Sequence, residues 1–251
     1  SVANTRFMQL VDGMDNSSPL LNFPLGNLIG ISEIDVQSVE LLPGASSALY
    51  GANAFNGILF MNSKSPFSSP GITAYAKFGQ TSQQAAGTND YVDYGVRMAG
   101  VFSPYFAAKA NFSVMRGTEW HAVNYDDKTR AGIDRSTINY DGINVYGDEV
   151  STNIRNVGTA LVAAGVPNLT SAMVNLLPNT NVSRTGYNEV DLTDNKVANT
   201  KIDFSLHYRP FGDEKLEVIW QSKFGFGNTV YQGANRYYLN NFFMQQHKIE
   251  F

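Results

Sequence analysis

Few side chains in this sequence have the types and spacing that catalysis or metal binding needs. The three histidines, His121, His207 and His247, lack the i,i+4 spacing that places two metal ligands on one helix face. Residues 44–48 (GASSA) resemble a nucleophile elbow only faintly, because the third glycine is missing and no histidine lies nearby. Cysteine is absent, which excludes disulfides, thiolate metal sites and a cysteine nucleophile. These patterns predict neither an enzyme nor a bound cofactor.

Two acid-rich stretches remain as candidates for ion binding. Residues 124–129 (NYDDKT) and 189–195 (EVDLTDN) do not follow the spacing of an EF-hand loop, so we interpret them as solvated loop acids. Calcium binding by a loop stays open, and no metal site is predicted. The chain has 18 basic and 22 acidic residues, a net charge of −4. This balance excludes a nucleic-acid binder built on a general basic surface.

The part of the chain after residue 71 shows period-2 alternation, which predicts β-strands. In residues 201–209 (KIDFSLHYR), Phe204 and Leu206 share one face, and Asp203 lies on the other. The same alternation occurs over residues 72–79, 93–102, 106–116, 215–224 and, with ambiguous facing, near 239–251. No apolar run of 18 residues occurs, which excludes a transmembrane helix but not transmembrane strands.

Charged and aromatic residues favour a membrane barrel over a soluble antiparallel sandwich, which stays the alternative. Charges such as Arg97 and Lys109 occupy one face of nearly every strand, as in a wet barrel interior, so Trp220 and the other apolar residues are expected to face lipid. Aromatic residues cluster near the strand ends, as in interfacial girdles. We therefore predict an all-β chain forming part of a transmembrane antiparallel β-barrel.

The connections between the predicted strands alternate between long and short. Residues 80–92, 117–198 and 226–238 are predicted as long loops on one rim, while 103–105 and 210–213 are predicted as tight turns on the other. A short helix is predicted within residues 153–177. About six strands are too few for a single-chain barrel, so we expect a fragment of a longer chain with further strands after residue 251.

The strongest local pattern lies in residues 35–66 (DVQSVELLPGASSALYGANAFNGILFMNSKSP). It predicts a strand, a turn at Pro43-Gly44, a short helical turn and a second strand, and none of these is catalytic. A Ser/Pro/Gly-rich stretch at 63–71 is typical of a linker. We therefore predict two domains, residues 1–70 and 71–251.

This segment closely resembles the end of the plug domain of TonB-dependent outer-membrane receptors. The matching positions are Glu40, Gly44, Ser47, Tyr50, Gly51, Gly57 and Lys64. Upstream, Asp12 and Gly13 match the family's apolar-strand–Asp-Gly element, whereas Asn56 stands where a second glycine is common. The chain resembles in particular the subgroup that carries a carboxypeptidase-like regulatory domain ahead of the plug.

The resemblance implies a barrel of about 22 strands around a mixed α/β plug, of which this chain holds the C-terminal half of the plug and the first strands. It also implies a transporter in the outer membrane of a Gram-negative bacterium. Such a receptor binds an external nutrient substrate and imports it with energy from the TonB complex, through a box ahead of residue 1. Outer-membrane lipids are implied partners, and a surface lipoprotein stays open. The alternative is a non-transporting binding or adhesion barrel, which has no need of a plug motif.

Ligand contacts are expected on the outer loops of the plug and of the barrel, because only these face the outside. The candidates are the turn Asp15, Asn16, Ser17 and Ser18, together with Trp120, His121, Tyr125, Tyr231 and Tyr237. Aromatic faces offer contact area at little entropic cost. The alternative is that these aromatics anchor loops or lie in the interfacial belt. The substrate stays open among a siderophore complex, cobalamin, an oligosaccharide and a peptide.

Overall fold

Two β-sheets belong to the first of two compact units in the chain. The computed structural model describes residues 7–19, 24–44, 50, 56–232 and 236–251. The first unit comprises Ser1–Ser82, Gly87–Glu119 and Lys196–Phe251, and the second comprises Gln83–Ala86 and Trp120–Asn195. Within the described residues, none of the helices combines the length and the apolar character needed to cross a membrane.

A small mixed sheet is formed by the first four strands. They are β1 (Phe7–Val11), β2 (Met14–Asp15), β3 (Val36–Pro43) and β4 (Gly57–Ser63), in the order β2-β1-β4-β3. The pair β1–β4 is parallel and the other two pairs are antiparallel. Asp12 and Gly13 both have positive φ, the geometry of a type I′ hairpin turn, which explains the Asp-Gly between β1 and β2. Met8, Leu10 and Ile58 form the core of this sheet.

A second sheet contains six long antiparallel strands in the order β14-β13-β12-β7-β6-β5. The strands are β5 (Gly71–Gln83), β6 (Gly87–Ser103), β7 (Phe106–Thr118), β12 (Lys196–Tyr208), β13 (Val218–Gln232) and β14 (Arg236–Glu250). They are 13 to 17 residues long, against the roughly 9 to 11 residues that cross a bilayer as a tilted strand.

The central strands β7 and β12 bury their polar face and leave their apolar face more exposed. In β12, Lys201, Asp203 and His207 are less than 10% exposed, whereas Ile202 and Tyr208 are 39% and 50% exposed. A sheet in a soluble sandwich would show the opposite order, because its apolar face would pack on the core. The predicted inward orientation of Asp203, and of the other polar residues in this strand, is therefore confirmed.

The predicted fold class is confirmed: a mostly β chain with a barrel-type antiparallel sheet behind a small mixed domain. The predicted linker lies between β4 and β5, and the tight turn at residues 104–105 is present. The predicted long loops at 80–92 and 226–238 are wrong, because only residues 84–86 and 233–235 separate the strands. The ladder continues past the apolar alternation through polar pairs such as Gln80 and Asp90, whose side chains are 3.1 Å apart.

The second unit contains short elements. They are β8 (Val145–Tyr146), β9 (Ser151–Asn153), α1 (Ile154–Ala163), α2 (Ser171–Asn175), β10 (Asn181–Ser183), β11 (Tyr187–Asn188) and α3 (Glu189–Leu192). The pairs β9–β10 and β8–β11 are antiparallel. The predicted helix is present as α1, which begins where the Asn153 side chain accepts hydrogen bonds from the amides of Arg155 and Asn156. Gly158 lets α1 approach α2, because a Cβ there would meet Val174 at 2.8 Å.

Candidate functional site

The polar face of the long sheet holds the small domain through an ionic cluster centred on Asp35. This carboxylate lies just before β3 and is 1% exposed. Its two oxygens accept hydrogen bonds from Arg97 Nε at 2.6 Å, Lys109 Nζ at 2.8 Å and Asn111 Nδ2 at 3.0 Å. Asn111 also donates to Asp203 Oδ1 at 2.7 Å, which extends the cluster to β12. A charge buried this deeply is stable only with such partners.

The same two cations of the long sheet also bind the segment that joins the two sheets. Lys109 Nζ donates to Ser63 Oγ at 2.7 Å and to the Lys64 carbonyl at 2.8 Å, where β4 ends. Arg97 Nη1 donates to the Ser69 carbonyl at 2.8 Å. The cluster therefore fixes both the end of the small sheet and the entry into β5.

Asp12 forms a second ionic contact between the small domain and the long sheet. Its Oδ2 accepts from Lys223 Nζ at 3.0 Å and from Gln221 Nε2 at 2.7 Å, and its Oδ1 accepts from the Ser63 amide at 2.7 Å. Burial alone would raise the pKa of Asp12, but the Lys223 charge and these hydrogen bonds hold that pKa well below its usual range. Asp12 is therefore ionised throughout the physiological pH range.

An apolar contact lies beside these charges. Leu25, Leu28 and Ile29 form a buried cluster of the small domain, packed against aromatic and aliphatic residues of β13 and β14. Gly225 of β13 makes the approach possible, because a Cβ there would overlap the Leu28 carbonyl oxygen. Asn27, next to Leu28, accepts hydrogen bonds from β12 residues through its carbonyl and its side-chain oxygen.

A cavity of about 640 Å³ opens between β4 and the strands β12 to β14. A chain of hydrogen bonds lines it: Ser205 Oγ is 2.9 Å from His207 Nε2, and His207 Nδ1 is 2.6 Å from Glu217 Oε1. The order of groups resembles a nucleophile–base–acid arrangement. However, the second oxygen of Glu217 accepts a hydrogen bond from Arg209 Nε at 2.8 Å. The nearby Lys109 ammonium donates to three acceptors of the protein, so none of its three donors is left for a substrate. We therefore interpret this chain as a structural part of the polar lining.

The plug-motif residues have structural positions in the small sheet. Glu40 is exposed on β3, and Gly44 has a φ of 95° directly after that strand. Tyr50 packs edge-on against Phe60 with ring centres 5.4 Å apart, and Gly57 begins β4 with a φ of 147°. Lys64 donates from Nζ to the Ile34 carbonyl at 3.0 Å. Ser47 and Gly51 lie outside the described residues.

The predicted ligand turn is only partly accessible. Asn16 and Ser18 are buried at 1% and 8% exposure, and Asn16 Nδ2 donates to the Gly26 carbonyl. Asp15 is exposed and accepts a hydrogen bond from Ser17 Oγ at 2.6 Å. Its carbonyl accepts from Gln246 Nε2 of β14.

The five aromatic candidates fall into both units. Trp120 is 68% exposed and Tyr125 is 37% exposed in the second unit. In the same unit the His121 amide donates to Gln83 Oε1, and the His121 carbonyl accepts from Gln83 Nε2. Tyr231 and Tyr237 stack with ring centres 6.2 Å apart and pack against the apolar cluster of Leu25, Leu28 and Ile29 in the first unit. The rings of Tyr231 and Tyr237 are therefore engaged in packing between the long sheet and the small domain.

Sequence reasoning did not single out Asp35 or Glu217. For Asp35, sequence alone gives no signal that the carboxylate meets a cation more than 60 positions away. The partners of Glu217 are only 8 and 10 positions away, across the turn between β12 and β13, but the strand register that brings them together was not predicted. Within the described residues, no group of three or more His, Asp or Glu side chains is placed to hold a metal ion.

Comparison with known proteins gives matches among solved structures only. No protein-family model and no curated protein matches the sequence. A mutant of the ferric enterobactin receptor PfeA from Pseudomonas aeruginosa, in complex with enterobactin, matches with a TM-score of 0.46 and 12% identity over 90% of this chain. PfeA in complex with BCV-L6 matches with a TM-score of 0.44 and 16% identity, also over 90%. The chain spans about a quarter of the length of these structures, at 26% of each.

Proposed function

We propose that this chain is part of an outer-membrane receptor that binds an external substrate and imports it with TonB-transmitted energy. One observation carries the proposal: the central strands β7 and β12 of a six-stranded sheet bury their charges against a small domain and leave their apolar side chains more exposed. Lipid is the solvent that suits an apolar outer face, and a barrel interior filled by a plug suits the buried charges. The proposed location is the outer membrane of a Gram-negative bacterium.

The nature of the contact between the two sheets favours transport over adhesion. The small domain is held largely by ion pairs and hydrogen bonds, such as Asp35 to Lys109, whose partners can exchange for water when the domain moves. An adhesion barrel gains nothing from such a domain in its interior. We further propose that the chain is not an enzyme, and that the TonB complex, reached through the plug, is the source of energy. The plug-motif residues support this last step, and the substrate stays open.

A cross-link between the small domain and the long sheet tests the proposal. Asn27→Cys with Asn199→Cys joins two residues that are hydrogen-bonded across the contact, and these 251 residues contain no other cysteine. In the complete receptor in whole cells, we expect the oxidised pair to bind substrate at the cell surface but not to import it. Reduction of the disulfide should restore uptake.

A matched control separates plug movement from a general effect of cross-linking. Phe112→Cys with Ile202→Cys pairs two register partners on the outward face of β7 and β12, and its disulfide should leave uptake unchanged. Full uptake by the oxidised Asn27–Asn199 pair would reject plug movement at this contact. Surface binding without uptake in the unmodified receptor would instead favour the adhesion barrel.

A further inference from the structure

A cavity within the second unit has the lining of an anion site. It has a volume of about 240 Å³ and lies between the segment 135–140 and the segment 182–186. We propose that it binds a small oxyanion or a carboxylate group through Arg135 and Arg184. The proposal concerns this unit alone and does not depend on transport.

Arg184 provides the free charge of the site. Its backbone is fixed, because its amide donates to the Val150 carbonyl at 3.1 Å and the preceding Ser183 amide donates to the Ile138 carbonyl at 2.8 Å. Among the described residues, no hydrogen bond or ion pair to its guanidinium is found. A fixed backbone with an unpaired guanidinium leaves all five donors available for a ligand.

Arg135 supplies a second positive charge to the same cavity. Its Nη2 donates to Asn188 Oδ1 at 2.6 Å, which orients the guanidinium. Two arginines that line one small cavity repel each other unless an anion lies between them. A planar guanidinium also matches carboxylate and phosphate oxygens bidentately, which an ammonium does not.

The rest of the lining adds hydrogen-bond donors and no acid. Hydroxyl groups come from Thr137, Ser183 and Thr185, and no carboxylate is among the described residues that line the cavity. The nearest acid in sequence, Asp134, accepts from Ser136 Oγ at 2.6 Å and lies outside the lining. The cavity therefore presents cations and donors without a protein anion to balance them.

The volume limits the ligand to a small group. Ligand cavities for drug-sized molecules are typically about 300 to 1,000 Å³, so this one suits a single phosphate, sulfate or carboxylate group, or that end of a larger molecule. The shared chemistry is an oxyanion that accepts several hydrogen bonds at once. The ligand group is either a tetrahedral oxyanion, which phosphate represents, or a planar carboxylate, which citrate represents.

The test is calorimetric titration of the complete protein, purified in a nonionic detergent, with inorganic phosphate, with citrate and with neutral N-acetylglucosamine. We expect at least one of the two anions to bind and the neutral sugar not to bind at this cavity. Arg184→Gln should weaken anion binding about tenfold or more, because it removes both the positive charge and the paired hydrogen bonds that a guanidinium donates to an oxyanion. Arg184→Lys keeps the positive charge but loses the bidentate geometry of the guanidinium. Its affinity for the anion should therefore lie between those of the natural protein and Arg184→Gln.

Lys215→Gln is the matched control, because it removes one exposed positive charge that is not part of the lining of this cavity. It should change the affinity less than twofold, and circular dichroism should show that every variant is folded. Equal losses in Arg184→Gln and Lys215→Gln would show a general charge effect and overturn the proposal. Failure of both anions to bind, or binding that is unchanged in Arg184→Gln, would overturn it as well.

Discussion

Replacing Asp35 by asparagine should loosen the small domain from the long sheet more than any exposed charge change. The substitution keeps the size of the side chain but leaves Arg97 and Lys109 without their shared anion. The side chains of all three residues are at most 3% exposed. Removing one partner of a buried ion pair costs about 3–5 kcal/mol, because the remaining charge stays buried and uncompensated.

The assay is hydrogen exchange of the β3 and β4 amides in the complete protein, followed by mass spectrometry. A loss of about 3–5 kcal/mol corresponds to a fall in protection of about two to three and a half orders of magnitude, since each 1.4 kcal/mol is about tenfold. The long strands far from Asp35 should keep most of their protection, because their ladders do not contain the cluster.

Glu33→Gln is the matched control, because Glu33 lies two residues earlier and makes an ion pair of the same type. Its carboxylate is 2.5 Å from Lys77 Nζ, but the two side chains are 52% and 47% exposed. An exposed pair contributes little because water screens the two charges, so protection should fall only a few-fold at most. Equal effects of the two substitutions, or a loss below tenfold in Asp35→Asn, would refute the argument that burial decides the strength of this contact.

Three further outcomes follow from the same structure. Leu206→Arg on the outward face should impair assembly by about 2–4 kcal/mol in refolding into vesicles, and a normal yield would reject the lipid-facing assignment. Gly225→Ala should expel Leu28 and raise protease sensitivity near it, whereas Gly100→Ala, whose new Cβ meets only side-chain atoms at 3.6 Å or more, should not. Since the folded pKa of Asp12 is lowered, its stabilisation is present above the ordinary value of 3.8 and is lost as pH falls below it. The denaturant midpoint should therefore drop in acid for the natural chain and much less for Asp12→Asn.

The sheet architecture could be predicted because its causes are local. Alternation in residues such as Phe204 and Asp203 places neighbours on opposite faces, and burial in the structure follows that order. Loop lengths could not be predicted in the same way. Strand pairing continues where polar side chains replace apolar ones, as at Gln80, and apolar alternation does not detect such an extension.

The contacts of the small domain could not be predicted, because they join distant parts of the chain. Asp12 stood out as part of an Asp-Gly turn, and its turn geometry is as expected. Its partners Gln221 and Lys223 follow only from the three-dimensional arrangement. The same holds for Asn16, whose polar side chain suggested a surface turn but is buried against Gly26.

The position of Asp12 in the chain sets an order for folding. Its ionic partner lies 211 residues later, and its carbonyl is bound by Lys248, 236 residues later. Contacts of such sequence separation form slowly, because the chain between them must first lose its conformational freedom. The turn between β1 and β2 therefore gains its contacts with Lys223 and Lys248 only when β13 and β14 are in place. The small domain and the long sheet must complete their folding together.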